Sequence, residues 1–160
     1  MFQIKKIMCP TDFSEPARMG LLAGIEMVEK FSAELILVHV IAPIPMIVGT
    51  YSLTGAHLPQ VAGTQYPEML QQMEVGASKA MNDLVQSVVP PHIHPAQHIL
   101  QGRPADEIIQ LAEKESSDLI VIATHGHSGI DRFLFGSVTE RVMRKAHCHV
   151  LAVRTASAEH

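Results

Sequence analysis

Cysteine is scarce. Cys9 and Cys148 are the only two in 160 residues, too few and too far apart for a disulfide framework or a metal-spacing motif. Positive charge is also in deficit. Twelve Lys and Arg stand against sixteen Asp and Glu, a net charge of -4 with histidine neutral. That excludes a nucleic-acid binder driven by bulk charge, which needs clustered Lys and Arg to neutralise phosphates. No stretch of 18 unbroken apolar residues occurs, so no segment reads as a membrane span. The opening MFQIKKIMCPTDFSE has only a short apolar stretch before a proline and acids, and does not read as a signal peptide. No internal repeat is visible. What remains is a chain 47% hydrophobic and 18% charged, which points to one globular domain with a sizeable core, reduced and cytoplasmic.

The chain alternates between two periodicities. Ile4 to Cys9 reads as a strand ended by Pro10, and Glu15 to Phe31 as a helix with an apolar stripe through Ala17, Leu21, Leu22, Ile25 and Val28. LILVHVI, Leu35 to Ile41, is a short branched run suited to a strand buried on both faces, as in a parallel sheet. A helix from about Glu68 to Val88 ends at Pro90-Pro91. His92 to Leu100 follows as a strand in which Pro95 signals an edge position or a late start. Pro104 to Glu115 is a helix with proline in its first turn, LIVIA (Leu119 to Ala123) a second buried strand, Ser137 to Ala146 a helix, and HVLAVR (His149 to Arg154) a final strand. This β-α-β-α-β-α-β-α-β order predicts an α/β fold, a parallel sheet covered by helices on both faces. Residues 1–155 form the domain and 156–160 a tail. One part breaks the rhythm: Leu35 to Pro67 holds no Asp, Glu, Lys or Arg, and the loop over 42–66 is rich in proline and glycine. A loop of that length is usually a lid, an interface or mobile, or else it folds back on its own domain.

In an open α/β sheet, ligands bind beyond the carboxyl ends of the strands. The unusual residues fall there: Pro10, Thr11 and Asp12 after the first strand, His39 and Val40 at the end of the second, Gly102 after the third, and Thr124, His125 and Gly126 after the fourth. Gly136-Ser137 opens the next helix, with nine residues between it and Gly126. A helix start offers unpaired N–H groups and a positive dipole end, and glycines let a ligand approach the backbone. Together these favour a phosphate. Ser137 supplies a hydroxyl for a phosphate oxygen or a divalent ion. Each charge-assisted hydrogen bond contributes about 1.5–3 kcal/mol, so four or five hold a triphosphate at micromolar strength after ordering costs of several kcal/mol. Taken singly, the residues have simpler explanations. Ser137-Val138-Thr139-Glu140 matches a capping box, and Asp12-Phe13-Ser14-Glu15 reads the same way. Capping does not explain the detour from His127 to Phe135. There is no G-x-x-x-x-G-K-[ST] and no G-x-G-x-x-G, so neither established phosphate loop is present.

The chain resembles the universal stress protein family over nearly its whole length. The resemblance is carried by IMCPTDFSEPA, LILVHVI, LQGRPADEIIQLAEKESSDLIVIATHGHSG and LFGSVTERVMRKAHCHVLAVR. The family's nucleotide-binding members show G-x2-G-x9-G-[ST], which maps here onto Ala123, Gly126, Gly136 and Ser137, with alanine in the first glycine's place. The resemblance implies a single Rossmann-like domain with a five-stranded parallel sheet in the order 3-2-1-4-5. It also implies a homodimer formed through the last strand, and ATP, accompanied by Mg2+ or Mn2+, across the strand ends. By matching position, Asp12 would face the ribose and Val40 the adenine through its backbone. Gly126, Gly136, Ser137 and Val138 would hold phosphates, and Ala123 places a departure within that phosphate motif. The implied role is a regulatory protein of the stress response. Same-fold alternatives are an interaction scaffold without nucleotide and a slow ATPase. At the sheet edge, the last strand would leave backbone groups unpaired unless a second chain covered them.

Ten histidines invite a metal reading. His92, His94 and His98, and separately His147 and His149, offer pairs on a strand face but no convergent set of three or four, so no metal site is expected. No catalytic set is identifiable either. Cys9 beside a buried strand reads as packing, and Asp12 has no partner base, lysine or arginine finger in the sequence around it.

Overall fold

The computed structural model describes residues 3–43, 66–124 and 135–154. The order is β1 (Lys6–Pro10), α1 (Glu15–Phe31), β2 (Glu34–Ile41), α2 (Tyr66–Val88), β3 (Ala96–Gln101), α3 (Pro104–Lys114), β4 (Leu119–Ala123), α4 (Ser137–Lys145) and β5 (His149–Val153). Helix α1 and strand β4 have the bounds their periodicity predicts. The largest shift is in β3, which starts at Ala96 and not at His92. Pro95 donates no backbone hydrogen bond, and the ladder with β2 begins just past it, at Ile36 opposite Ala96. The long uncharged loop lies almost wholly outside the described residues, as do the 156–160 tail, His125 and Gly126.

All pairings are parallel and the sheet order is β3-β2-β1-β4-β5. Strand residues alternate between two cores. One gathers Ile7, Cys9, Leu35, Leu37, Leu119 and Val121 beneath α1 and α2, through Leu21, Ile25, Val28 and Met81. The other gathers Met8, Ile36, Val38, Ile120 and Ile122 beneath α3 and α4, through Ile108, Leu111 and Val142. Central strands buried on both faces have no polar side, which is why β2 and β4 read as continuous apolar runs.

Helix α1 lies unusually close to the sheet. A Cβ at Gly24 would fall 2.3 Å from the Cys9 sulfur, and one at Gly20 would fall 3.1 Å from the Ala123 nitrogen. The amino edge is tied by Asp118. Its Oδ2 accepts from the backbone N–H groups of Lys5 (2.8 Å) and Lys6 (2.9 Å), and its own N–H donates to the Lys6 carbonyl at 2.9 Å. Asp118→Ala removes an acceptor shared by two amides and should cost about 2 kcal/mol. Asp118→Asn keeps an acceptor oxygen and should recover at least half of that, as read by urea denaturation midpoints.

Candidate functional site

Between β1 and β4 the winding of the sheet reverses, and there the carboxyl edge opens into two loops. The first is Thr11–Ser14. Thr11 is buried and fully engaged. Its N–H donates to the Val38 carbonyl (2.9 Å), its Oγ1 accepts the Phe13 N–H (3.0 Å), and its carbonyl lies 2.8 Å from Nδ1 of His39. A carbonyl only accepts, so His39 Nδ1 carries the hydrogen. Phe13 has φ 63°, a left-handed backbone that costs a residue with a Cβ about 1–2 kcal/mol. Its ring rests on the His39 ring at a centroid distance of 4.4 Å.

Asp12 precedes this kink. Its carboxylate Oδ1 accepts both the Ser14 N–H (3.0 Å) and the Ser14 hydroxyl. Ser14 is the N-cap of α1, with its Oγ accepting the Ala17 N–H at 3.3 Å. The capping box expected at Asp12 is therefore not formed. A cap at Asp12 would put Pro16 at the fourth helical position, where an N–H is needed, whereas a cap at Ser14 puts it in the first turn. Asp12 instead orients the cap from two residues upstream.

The second loop begins at Thr124, which is almost fully buried. Its N–H donates to the Val153 carbonyl (2.9 Å) and its own carbonyl accepts the Gly136 N–H (2.7 Å). Gly136 is the N-cap of α4, with φ -66° and ψ 157°, and among the described residues no side chain caps this helix. The capping box expected from Ser137 to Glu140 is also absent, because Ser137 is the first residue inside the helix. Its hydroxyl is exposed, and Glu140 pairs with Arg144 instead. The Ser137 and Val138 amides occupy the first two helical positions, where no intrahelical acceptor exists. Gly136's own amide is committed to Thr124 and is not available to a ligand.

Thr139, which sequence reasoning passed over as an interior position of the capping box, anchors this helix start. Its buried hydroxyl donates to the Ala123 carbonyl at 2.7 Å. The available signal was its spacing of three from Val142, which marks the buried helix face. Ala123 itself is buried, and its methyl carbon lies 3.5 Å from where a Gly20 Cβ would stand. The Ala123 methyl is thus housed under α1, on the face of β4 opposite Ile122.

The remaining expected positions divide. Pro10 closes β1 opposite Val38. Val40 is half-buried and pairs with Leu100. Gly102 has φ 145°, donates its N–H to the Ile41 carbonyl (3.1 Å), and would meet the Glu107 carboxylate if it carried a Cβ, so the turn alone demands glycine there. Burial pushes the Cys9 thiol up to about 12, and partial burial also raises Cys148, so neither is a ready thiolate. Among the described residues, no three His, Cys, Asp or Glu converge as a metal site would require, and no helix is long and apolar enough to cross a membrane.

A five-stranded parallel sheet with helices on both faces and a switch point between β1 and β4 defines a doubly wound α/β protein. A model of the Universal stress protein family matches residues 3–154, and the chain belongs to that family. It is 31% identical to Universal stress protein MJ0531 of Methanocaldococcus jannaschii, over 97% of this chain and 85% of the relative. The solved structure of MJ0577, a universal stress protein of the same organism, superposes with a TM-score of 0.78 at 28% identity, over 98% of this chain and 99% of that one. A universal stress protein solved in complex with cAMP shares the fold, with a TM-score of 0.61 at 20% identity over 94% of this chain and 97% of that one.

Proposed function

We propose that this protein binds an adenine nucleotide, ATP foremost, and acts as a regulatory member of its family through binding and not turnover. The observation that carries the reading is the start of α4. Gly136 has an ordinary extended backbone, and an added Cβ would make only a van der Waals contact with the Thr124 carbonyl at 3.4 Å. Neither conformation nor packing against the described residues requires a glycine there. Its bare backbone leaves the Ser137 and Val138 amides approachable at the positive end of the helix dipole, the arrangement that suits phosphate. Asp12 stands across the switch point, where a carboxylate suits ribose hydroxyls. Ser137 Oγ offers a hard oxygen to an accompanying Mg2+ or Mn2+. The relative bound to cAMP supports an adenylate as the ligand.

Strand β5 bears on assembly. It pairs with β4 on one side and is the last strand of the sheet. A second copy added along His149 to Arg154 would satisfy its outer backbone groups and give a homodimer. The free thiols Cys9 and Cys148 suit a reducing, cytoplasmic setting.

Acid extraction of the purified protein followed by mass spectrometry should release an adenine nucleotide. Calorimetry with ATP and Mg2+ should give a Kd of about 10 μM or tighter. An empty extract together with no heat at millimolar ATP would end the reading.

A further inference from the structure

We infer that His39 is a positioning residue for the nucleoside end of this site: through its Nδ1–H it fixes the Thr11 carbonyl, and through its ring it holds Phe13, so that Asp12 is presented to the ligand. The inference rests on the nucleotide reading above and adds to it a residue that touches the loop and not the phosphates.

Thr11, Asp12, Phe13 and Ser14 form a loop in which each residue is held at a defined point. Thr11 is pinned to β2 twice, by its N–H to Val38 and by its carbonyl to His39. Phe13 is left-handed, a conformation that persists in a residue with a side chain only where the surroundings over-determine it. The surroundings here are the Thr11 Oγ1 acceptor and the His39 ring. Asp12 lies between these two anchored residues, and its carboxylate direction follows from them and from Ser14. His39 thus reaches both flanks of Asp12. A polar residue within an otherwise apolar strand run has a bland explanation as a satisfied histidine of the core edge. That explanation covers the hydrogen bond but not the simultaneous seating of a strained aromatic at the loop beside it.

The geometry sets the substitutions. Asparagine places its amide Nδ2 close to where histidine places Nδ1, so His39→Asn keeps the donor to Thr11 while losing the ring. His39→Leu removes the donor. Calorimetry should show ATP–Mg2+ affinity falling about tenfold in His39→Leu, the size of one lost hydrogen bond, and about threefold or less in His39→Asn. Inorganic tripolyphosphate, which engages only the α4 end, should bind wild type and both variants alike. Loss of tripolyphosphate binding in step with ATP would mean general damage and overturn the positioning role, as would unchanged ATP affinity in His39→Leu. Wild type binding neither ligand would overturn the nucleotide reading and this inference with it. A further readout needs no ligand: long-range 1H–15N correlation of the imidazoles at neutral pH should show His39 as the Nδ1–H tautomer. The Nε2–H tautomer would overturn the contact itself.

Discussion

Replacing Gly136 by valine should leave the protein folded and weaken ATP binding by at least about 100-fold, the equivalent of two charge-assisted amide contacts at about 1.5 kcal/mol each. The two halves of the result come from different facts. The backbone of Gly136 is in a region open to any residue, and its N-cap role makes no use of a side chain. Glycine and an apolar residue differ by about 1 kcal/mol at an N-cap. The added Cβ meets only the Thr124 carbonyl at 3.4 Å among the described residues. Thermal unfolding should therefore shift by only a few degrees. The binding loss follows because the two branches of valine would stand in front of the Ser137 and Val138 amides. Gly136→Ala should fall between wild type and valine. Unchanged ATP affinity in Gly136→Val, measured by calorimetry on the folded variant, would remove α4 from the ligand site.

The second large effect is on stability. Gly24→Ala should cost about 2 kcal/mol even though alanine favours a helix by about 1 kcal/mol over glycine. The new methyl would fall 2.3 Å from the Cys9 sulfur and 3.7 Å from the Val121 Cβ, so helix or strand has to move. Cys9 is buried in the central strand, and close-packed interiors give such a sulfur little room to move. In a Cys9→Ala background the sulfur is gone, and the Gly24→Ala methyl takes its place. The double mutant should then be more stable than the two single losses add up to, by about 1 kcal/mol or more. Urea unfolding of the four proteins gives the coupling directly. A Gly24→Ala penalty of equal size in both backgrounds would show that the sulfur is not the obstacle.

Much of this architecture was open to sequence reading because parallel strands buried on both faces must be apolar throughout. LILVHVI and LIVIA could be little else, and the helices between them announced themselves by period and proline placement. The gathering of Asp12, Val40, Thr124, Gly136 and Ser137 at one edge also followed from that alternation alone. The misreadings share one cause. Both capping boxes were inferred from four-residue spacings, which Asp12–Glu15 and Ser137–Glu140 satisfy. At α1 the placement of Pro16 decides for a cap at Ser14 over Asp12, whereas at α4 the start is set by more distant residues: the Gly136 N–H is taken by Thr124, and Thr139 is drawn to the Ala123 carbonyl.

By itself, then, the sequence determined the class of fold, the order of its elements and the edge on which chemistry gathers, since these depend on local periodicity and on the directionality of parallel strands. Tertiary structure alone decided that the Ala123 methyl lies beneath Gly20, that His39 grips Thr11 and Phe13, and that the Gly136 amide is taken by the Thr124 carbonyl. Those outcomes hinge on contacts of a few ångströms between segments distant in the chain, and hydrophobic pattern carries no information at that scale.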